Sequence, residues 1–367
     1  MQTLLPWLNG EREPDSPGMR LLLAALGGCG TLLGRFQSLK ADGYRRGWIE
    51  ALRAPCPVIS VGNLTVGGTG KTPMVLWLAR RMQSLGHRVG IVSRGYRQRS
   101  RARVTVVADP DGVRLSPPEA ADEAVLLARA LPGVTVLTGA DRPALIRHGV
   151  ERYRCSLILM DDGFQRLDVQ RDLDLVLLDA RHPFGNGRLL PGGILRESID
   201  ALARCDALIL TRADDPERAL DTRSRLVQRF PRTPLLTATH RPTVWIPLSN
   251  AGDSLSLDGL SGAVLAFCGL AAPEGFRRTL AALPLRVTSW HPFPDHHAFQ
   301  EEELQHLVTQ ARRQGAGALV CTEKDAVKLS GVQIPMPVFA LRVEMALQHN
   351  REWLEHKLAA FGPPTAS

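Results

Sequence analysis

The stretch Val58-Ile59-Ser60-Val61-Gly62-Asn63-Leu64-Thr65-Val66-Gly67-Gly68-Thr69-Gly70-Lys71-Thr72 constrains the fold more than any other. An apolar, β-branched run reads as a buried strand, and the glycines after it read as a tight turn into a helix. In a strand–loop–helix of this kind, consecutive backbone N–H groups at Thr65, Val66, Gly67, Gly68, Thr69 and Gly70 can wrap a phosphate at the helix N-terminus. Lys71 then reaches the outer phosphates, and the Thr72 hydroxyl is placed to ligate Mg²⁺. Thr65 stands where the P-loop pattern has its first glycine. A dinucleotide-type G-x-G-x-x-G is absent from the loop, which argues against hydride transfer.

The surrounding rhythm fits. Short aliphatic runs at 57–61, 89–93, 104–108, 134–138, 157–160, 173–178 and 207–211 alternate with helical patterns at 72–85, 118–131, 142–153 and 216–229, as in a parallel sheet with crossover helices. Residues 234–258 change character, with two extended pieces around turn-forming residues, and read as a connector. A second α/β run follows, with strands near 263–267, 286–289, 318–321 and 338–341 and helices near 273–283, 300–314 and 348–361. The expected fold class is α/β: two lobes with largely parallel sheets, a P-loop NTPase-type N-terminal lobe (46–233), the extended linker (234–258) and a smaller C-terminal lobe (259–361). Residues 362–367 read as a disordered tail. The cleft between two such lobes is the natural place for a site.

A second chemical signal is Leu157-Ile158-Leu159-Met160-Asp161-Asp162-Gly163, a buried strand ending in carboxylates beside the P-loop. Hard oxygen ligands are what Mg²⁺ requires, so Asp161 or Asp162 is a candidate for the metal-holding acid. Arg94, Arg142 and the Arg196-Glu197 pair also follow strands or a Gly/Pro-rich loop, although helix capping or a solvated surface would equally account for each alone. In the second lobe, His291, His296 and His297 cluster after a strand. Without further His or Cys at metal spacing, they read better as catalytic or substrate-orienting groups than as a zinc site.

Charge enters because it is local. The chain carries +8, with 45 basic and 37 acidic residues, and residues 80–103 alone hold eight arginines and no acid. A basic segment implies an anionic partner, whether nucleotide phosphate, anionic lipid or nucleic acid. Tyr96 is its sole aromatic, so base stacking has little to rest on and no nucleic-acid partner is expected. The six widely spaced cysteines suggest buried thiols in a reducing compartment. The weakly polar run 21–34 would reach about 21 Å as a helix at ~1.5 Å per residue, short of a ~30 Å hydrocarbon core. It can lie in an interface but is expected not to span.

Taken together, SVGNLTVGGTGKTP, SRGY, Ala121-Asp122-Glu123, DDGFQ, LLPGGILRE, FCGLAAPEGF, FPDHHAF and TEKDAVKL resemble one family, the tetraacyldisaccharide 4'-kinases of lipid A biosynthesis. The resemblance runs nearly continuously from Ser60 to Lys328. It implies two α/β/α lobes with a β-hairpin linker, and an N-terminal segment (1–45) that attaches peripherally to the cytoplasmic face of the inner membrane. It also implies a monomer that passes the γ-phosphate of ATP to the 4'-hydroxyl of tetraacyldisaccharide 1-phosphate. By residue, it implies Lys71 and Thr72 on ATP and Mg²⁺, and Asp161, Asp162 and Glu197 at the metal-phosphate centre. Asp122 becomes the general base paired with His296, and Arg142 and Arg196 contact phosphate or substrate, for which Arg94, by its place after a strand, is a further candidate. Arg166 stands where the family often has His. The competing reading is a P-loop GTPase, a switch or metal chaperone, for which Thr211-Arg212-Ala213-Asp214 would be a loose guanine-reading loop.

Overall fold

The structure, a computed structural model, describes residues 5–9, 16–248 and 253–362. Helices α1 (Leu5–Leu8) and α2 (Pro17–Arg45) precede the first lobe. Its strands are β1 (Val58–Asn63), β2 (Val89–Ser93), β3 (Thr105–Asp109), β4 (Gly112–Val113), β5 (Thr135–Thr138), β6 (Leu157–Asp161), β7 (Leu173–Asp179) and β8 (Ala207–Thr211). Its helices are α3 (Lys71–Ser84), α4 (Asp122–Ala130), α5 (Arg142–Tyr153) and α6 (Pro216–Arg229). The connector is β9 (Leu235–Pro247) with β10 (Leu255–Ser256). The second lobe adds β11 (Gly262–Gly269), α7 (Pro273–Ala281), β12 (Leu285–Phe293), α8 (Glu301–Arg313), β13 (Ala318–Thr322), α9 (Glu323–Ala326) and β14 (Val338–Leu347), and α10 (Arg351–Ala359) follows.

Strands β1, β2, β6 and β8 are buried along their whole length, as parallel strands covered by helices on both faces must be. Among the described residues the strands form one continuous sheet, ordered β12-β11-β13-β14-β9-β8-β7-β1-β6-β2-β5-β3-β4, with β10 paired to β9. The joint is a single strand. Leu235 to Thr237 of β9 pair parallel with β8, and from Ala238 to Pro247 the same strand pairs antiparallel with β14. The two lobes therefore share a backbone ladder where the sequence suggested only an extended connector. The turn at 249–252 lies outside the described residues, as do the tail residues 363–367.

Three expectations change. The last helix was assigned to the second lobe, yet α10 places Leu354 and Leu358 in the core formed by α3, α4 and the first-lobe strands. The cause is β14, which runs back along β9 and returns the chain to the first lobe. Helix α4 begins at Asp122 rather than Pro118, because residues 117–119 form a turn that precedes it. His291 lies inside β12 rather than after it.

The apolar run near the N-terminus sits in a helix of 29 residues, longer than the run itself, and by length and composition alone this helix could cross a membrane. It is docked instead. Gly30 approaches the 188–192 loop so closely that a Cβ there would meet the Leu189 carbonyl at 2.7 Å. Gly34 lies against the Leu189 side chain, and Arg188 donates to the Leu23 carbonyl at 3.2 Å. Leu21, Leu32, Phe36 and Leu39 remain exposed on the helix.

Candidate active site

The P-loop is braced from several sides. Asn63 Nδ2 donates to the Thr65 carbonyl at 2.7 Å, Val66 N–H donates to Ile194 at 2.8 Å, and the Thr211 hydroxyl donates to the Thr69 carbonyl at 2.8 Å. Gly70 caps α3 at φ 89, a conformation open to glycine, and a Cβ there would also strike His240 Nε2. Lys71 and Thr72 are thus the first residues of a helix whose free N–H groups face the loop.

Parallel pairing sets Asp161 opposite Val61, so the end of β6 lies beside the start of the P-loop. Burial, with the nearby Glu123 carboxylate, pushes the Asp161 carboxyl up to about 7 against the pull of Lys71 and Arg142. Its Oδ1 is buried with no hydrogen-bond partner. Asp162 differs. Burial works against its charge too, but Lys71 and Arg196 outweigh it and hold the carboxylate below its usual range. Lys71 Nζ stands 3.4 Å from Asp162 Oδ1, and Arg196 Nη1 donates at 2.8 Å to both Asp162 oxygens. The two acids therefore differ in their surroundings: Asp161 carries the unsatisfied oxygen, and Asp162 pairs with Lys71 and Arg196.

Facing this centre, α4 opens with Asp122 and Glu123 in its first turn. From the second lobe comes the loop after β12. His296 sits at φ 60, its Nδ1 3.2 Å from Asp122 Oδ2 and its ring edge-on to Tyr96 at 5.8 Å. Arg97 Nη1 donates to the Asp295 carbonyl at 3.0 Å, a further tie across the cleft. His297 is drawn to Glu303 at 2.8 Å and stacks on Phe293, so it braces its own lobe. Among the described residues no group of three or more His, Cys, Asp or Glu could hold a metal.

The remaining expected site residues divide. Arg94 is exposed at the end of β2, available to an anion. Arg142 is 2% exposed and donates to the Gly139 carbonyl, and burial beside Arg166 lowers it to about 10. It lies beneath the acids and cannot reach out to a bulky acceptor. Glu197 pairs with Arg204 at 2.8 Å, and Arg204 in turn lies over the Phe164 ring. That ion pair braces the chain after the Gly/Pro-rich loop. Arg166 reaches Asp168 and the Ala140 carbonyl.

The arginine-rich segment is not one patch. Arg80 pairs with Glu344, Arg81 with Glu355 and Arg103 with Asp141, and Arg88 donates to the Arg154 carbonyl. Two of the eight arginines therefore tie α3 to β14 and α10. In the proposed guanine-reading loop, Thr211 serves the P-loop and Arg212 pairs with Asp179. The site residues that the sequence left unassigned are Glu123, Asp295 and Lys324. Lys324 was visible as one of few lysines, placed just after a strand, but its partners are distant in sequence.

A family model described as tetraacyldisaccharide-1-P 4'-kinase matches residues 20–360. The tetraacyldisaccharide 4'-kinase of Syntrophotalea carbinolica is 42% identical over 357 residues, spanning 95% of this chain and 94% of that protein. The tetraacyldisaccharide 4'-kinase of Syntrophus aciditrophicus is 38% identical over 328 residues, 87% of each. Among solved structures, LpxK from Aquifex aeolicus in complex with ATP is similar at a TM-score of 0.76 and 30% identity, covering 93% of this chain and 99% of that one.

Proposed function

The chain belongs to the tetraacyldisaccharide-1-P 4'-kinase family, and on that premise we propose how its own residues divide the work of phosphoryl transfer. It is an ATP-dependent kinase that moves the γ-phosphate to the 4'-hydroxyl of tetraacyldisaccharide 1-phosphate in lipid A biosynthesis, not a GTPase switch or metal chaperone. The observation that carries the division is the pairing of Asp122 with His296 across the cleft from the P-loop acids.

The backbone of Thr65 to Gly70 cradles the triphosphate. Lys71, which stands beside Asp162 at the start of α3, reaches the outer phosphates as a charge-assisted donor. Arg196 then keeps Asp162 from being left unpaired. The buried, unpartnered Asp161 Oδ1 and the Thr72 hydroxyl in the first turn of α3 suit a hard divalent cation, so these two would hold Mg²⁺. When bound, that ion neutralises charge on the phosphate oxygens during transfer.

Asp122 orients the 4'-hydroxyl and accepts its proton as the new O–P bond forms and the bond to the departing ADP oxygen breaks. Transfer of this kind has a loose transition state, so positioning outweighs proton abstraction, and base assistance contributes roughly 10²–10⁴-fold. Exposed Arg94 is the cation free to meet substrate phosphate. Arg142 acts from below, through its field on Asp161.

The acceptor is a membrane lipid, and the exposed apolar face of α2 is the surface suited to it. With its glycine face docked on the lobe, α2 lies along the interface at the cytoplasmic side of the inner membrane instead of crossing it. The division of roles is tested by comparing Lys71→Ala, expected to lose ATP affinity, with Asp122→Ala, expected to keep it and lose turnover. Equal loss of ATP affinity in both would refute it.

A further inference from the structure

Lys324 stands at the junction of the two lobes with its side chain 18% exposed. Its Nζ lies 3.3 Å from Glu123 Oε1 of α4, 3.1 Å from Asp295 Oδ1 and 3.2 Å from His296 Nε2. An ammonium has three N–H donors and no acceptor, and here it meets three partners. Burial works against its charge, but Glu123 and Asp295 outweigh that and hold the amine above its ordinary range. Lys324 is therefore a donor at every contact, and the histidine nitrogen facing it must be the unprotonated one.

The geometry points to Lys324 as the positioning residue that fixes His296 as its neutral Nδ1–H tautomer, so that His296 donates to Asp122. This rests on the reading of Asp122 as the base. With Nε2 occupied as acceptor, the ring proton sits on Nδ1, which faces Asp122 Oδ2 at 3.2 Å. In this tautomer the single ring N–H is directed at Asp122 and orients that carboxylate. The groups in contact with the ring are Asp122 of α4, Tyr96 after β2, Asp295 of its own loop and Lys324 of α9, with Glu123 on Lys324 and Arg97 on the Asp295 carbonyl behind them. Lys324 touches no reacting atom and acts through His296. Because Glu123 comes from the first lobe and Asp295 from the second, the same ammonium also holds the two halves of the site in register.

The experiment is nitrogen-15 NMR of the full-length enzyme labelled at histidine, with the His296 signals assigned by their loss in His296→Gln. A protonated Nδ1 and an unprotonated Nε2 are expected at neutral pH. An Nε2–H tautomer or an imidazolium at neutral pH in the unaltered enzyme would overturn the inference without any variant. In Lys324→Met the acid limb of the kcat profile should move up by about one pH unit, with KM for ATP unchanged. Lys324→Arg, which keeps a donor-only cation, should restore it. A profile scaled down evenly, with its limb in place, would mean a merely structural lysine and would also overturn the inference. Normal turnover by Asp122→Ala would count against the base reading instead, and the NMR result would still decide the role of Lys324.

Discussion

His296 Nδ1 lies 3.2 Å from Asp122 Oδ2, although the two residues are 174 positions apart and belong to different lobes. The pair exists only while the lobes are apposed, so both lobes contribute to the base. His296→Ala should lower kcat, by less than the roughly 10²–10⁴-fold expected for Asp122→Ala, and should leave ATP affinity little changed. Because the two act as a unit, the double variant should be no worse than Asp122→Ala alone. Additive losses in a double-mutant cycle would show that the contact carries no function.

His240 faces Gly70 of the P-loop, and burial, reinforced by Arg212, lowers it to about 4 from an ordinary 6.5. Asp214 and Asp179 pull the other way without prevailing. Below about pH 6.5 the unfolded chain binds a proton that the folded chain refuses, so stability should fall as pH drops from about 6.5 to 4. The loss attributable to this one group amounts to at most about 3 kcal/mol. Urea midpoints across that window should slope less for His240→Gln than for the unaltered protein.

Leu354 is fully buried in the first-lobe core, although its helix follows the second lobe in sequence. Leu354→Ala should destabilise the nucleotide-binding lobe by about 2–5 kcal/mol, read by chemical denaturation. A loss confined to the second lobe, detected by local hydrogen exchange, would contradict the packing described.

Phe36 and Leu39 are exposed on α2, 67% and 71% respectively. Replacing both with Asp should reduce sedimentation with anionic vesicles by about tenfold or more, since each apolar side chain contributes on the order of 1–2 kcal/mol when it enters an interface. Turnover on detergent-dispersed acceptor should change little. Unaltered vesicle binding would remove α2 as the attachment surface.

What the sequence revealed and what it concealed follow from the range of the interactions involved. Val89–Ser93 and Ala207–Thr211 were legible to the residue because strands buried on both faces read as unbroken apolar runs. The P-loop and the acids after β6 were legible because a phosphate cradle needs adjacent residues of fixed type. Strand β12 was not. Its residues are mostly half-buried, which weakens both the apolar run and the alternation, so His291 was placed beyond its end. The home of α10 was hidden because it depends on a ladder between β9 and β14, about a hundred residues apart. Glu197 and Arg142 show the same limit. The resemblance put Glu197 at the metal-phosphate centre and Arg142 on phosphate or substrate, whereas Glu197 pairs with Arg204 and Arg142 donates to the Gly139 carbonyl.

The central claim is tested most directly by incubating the protein with ATP, Mg²⁺ and tetraacyldisaccharide 1-phosphate and following the lipid by mass spectrometry. The account predicts that the lipid gains one phosphate at the 4'-position, and that Asp122→Ala forms this product far more slowly despite binding ATP. ATP hydrolysis with no phosphate gained by the lipid would contradict it.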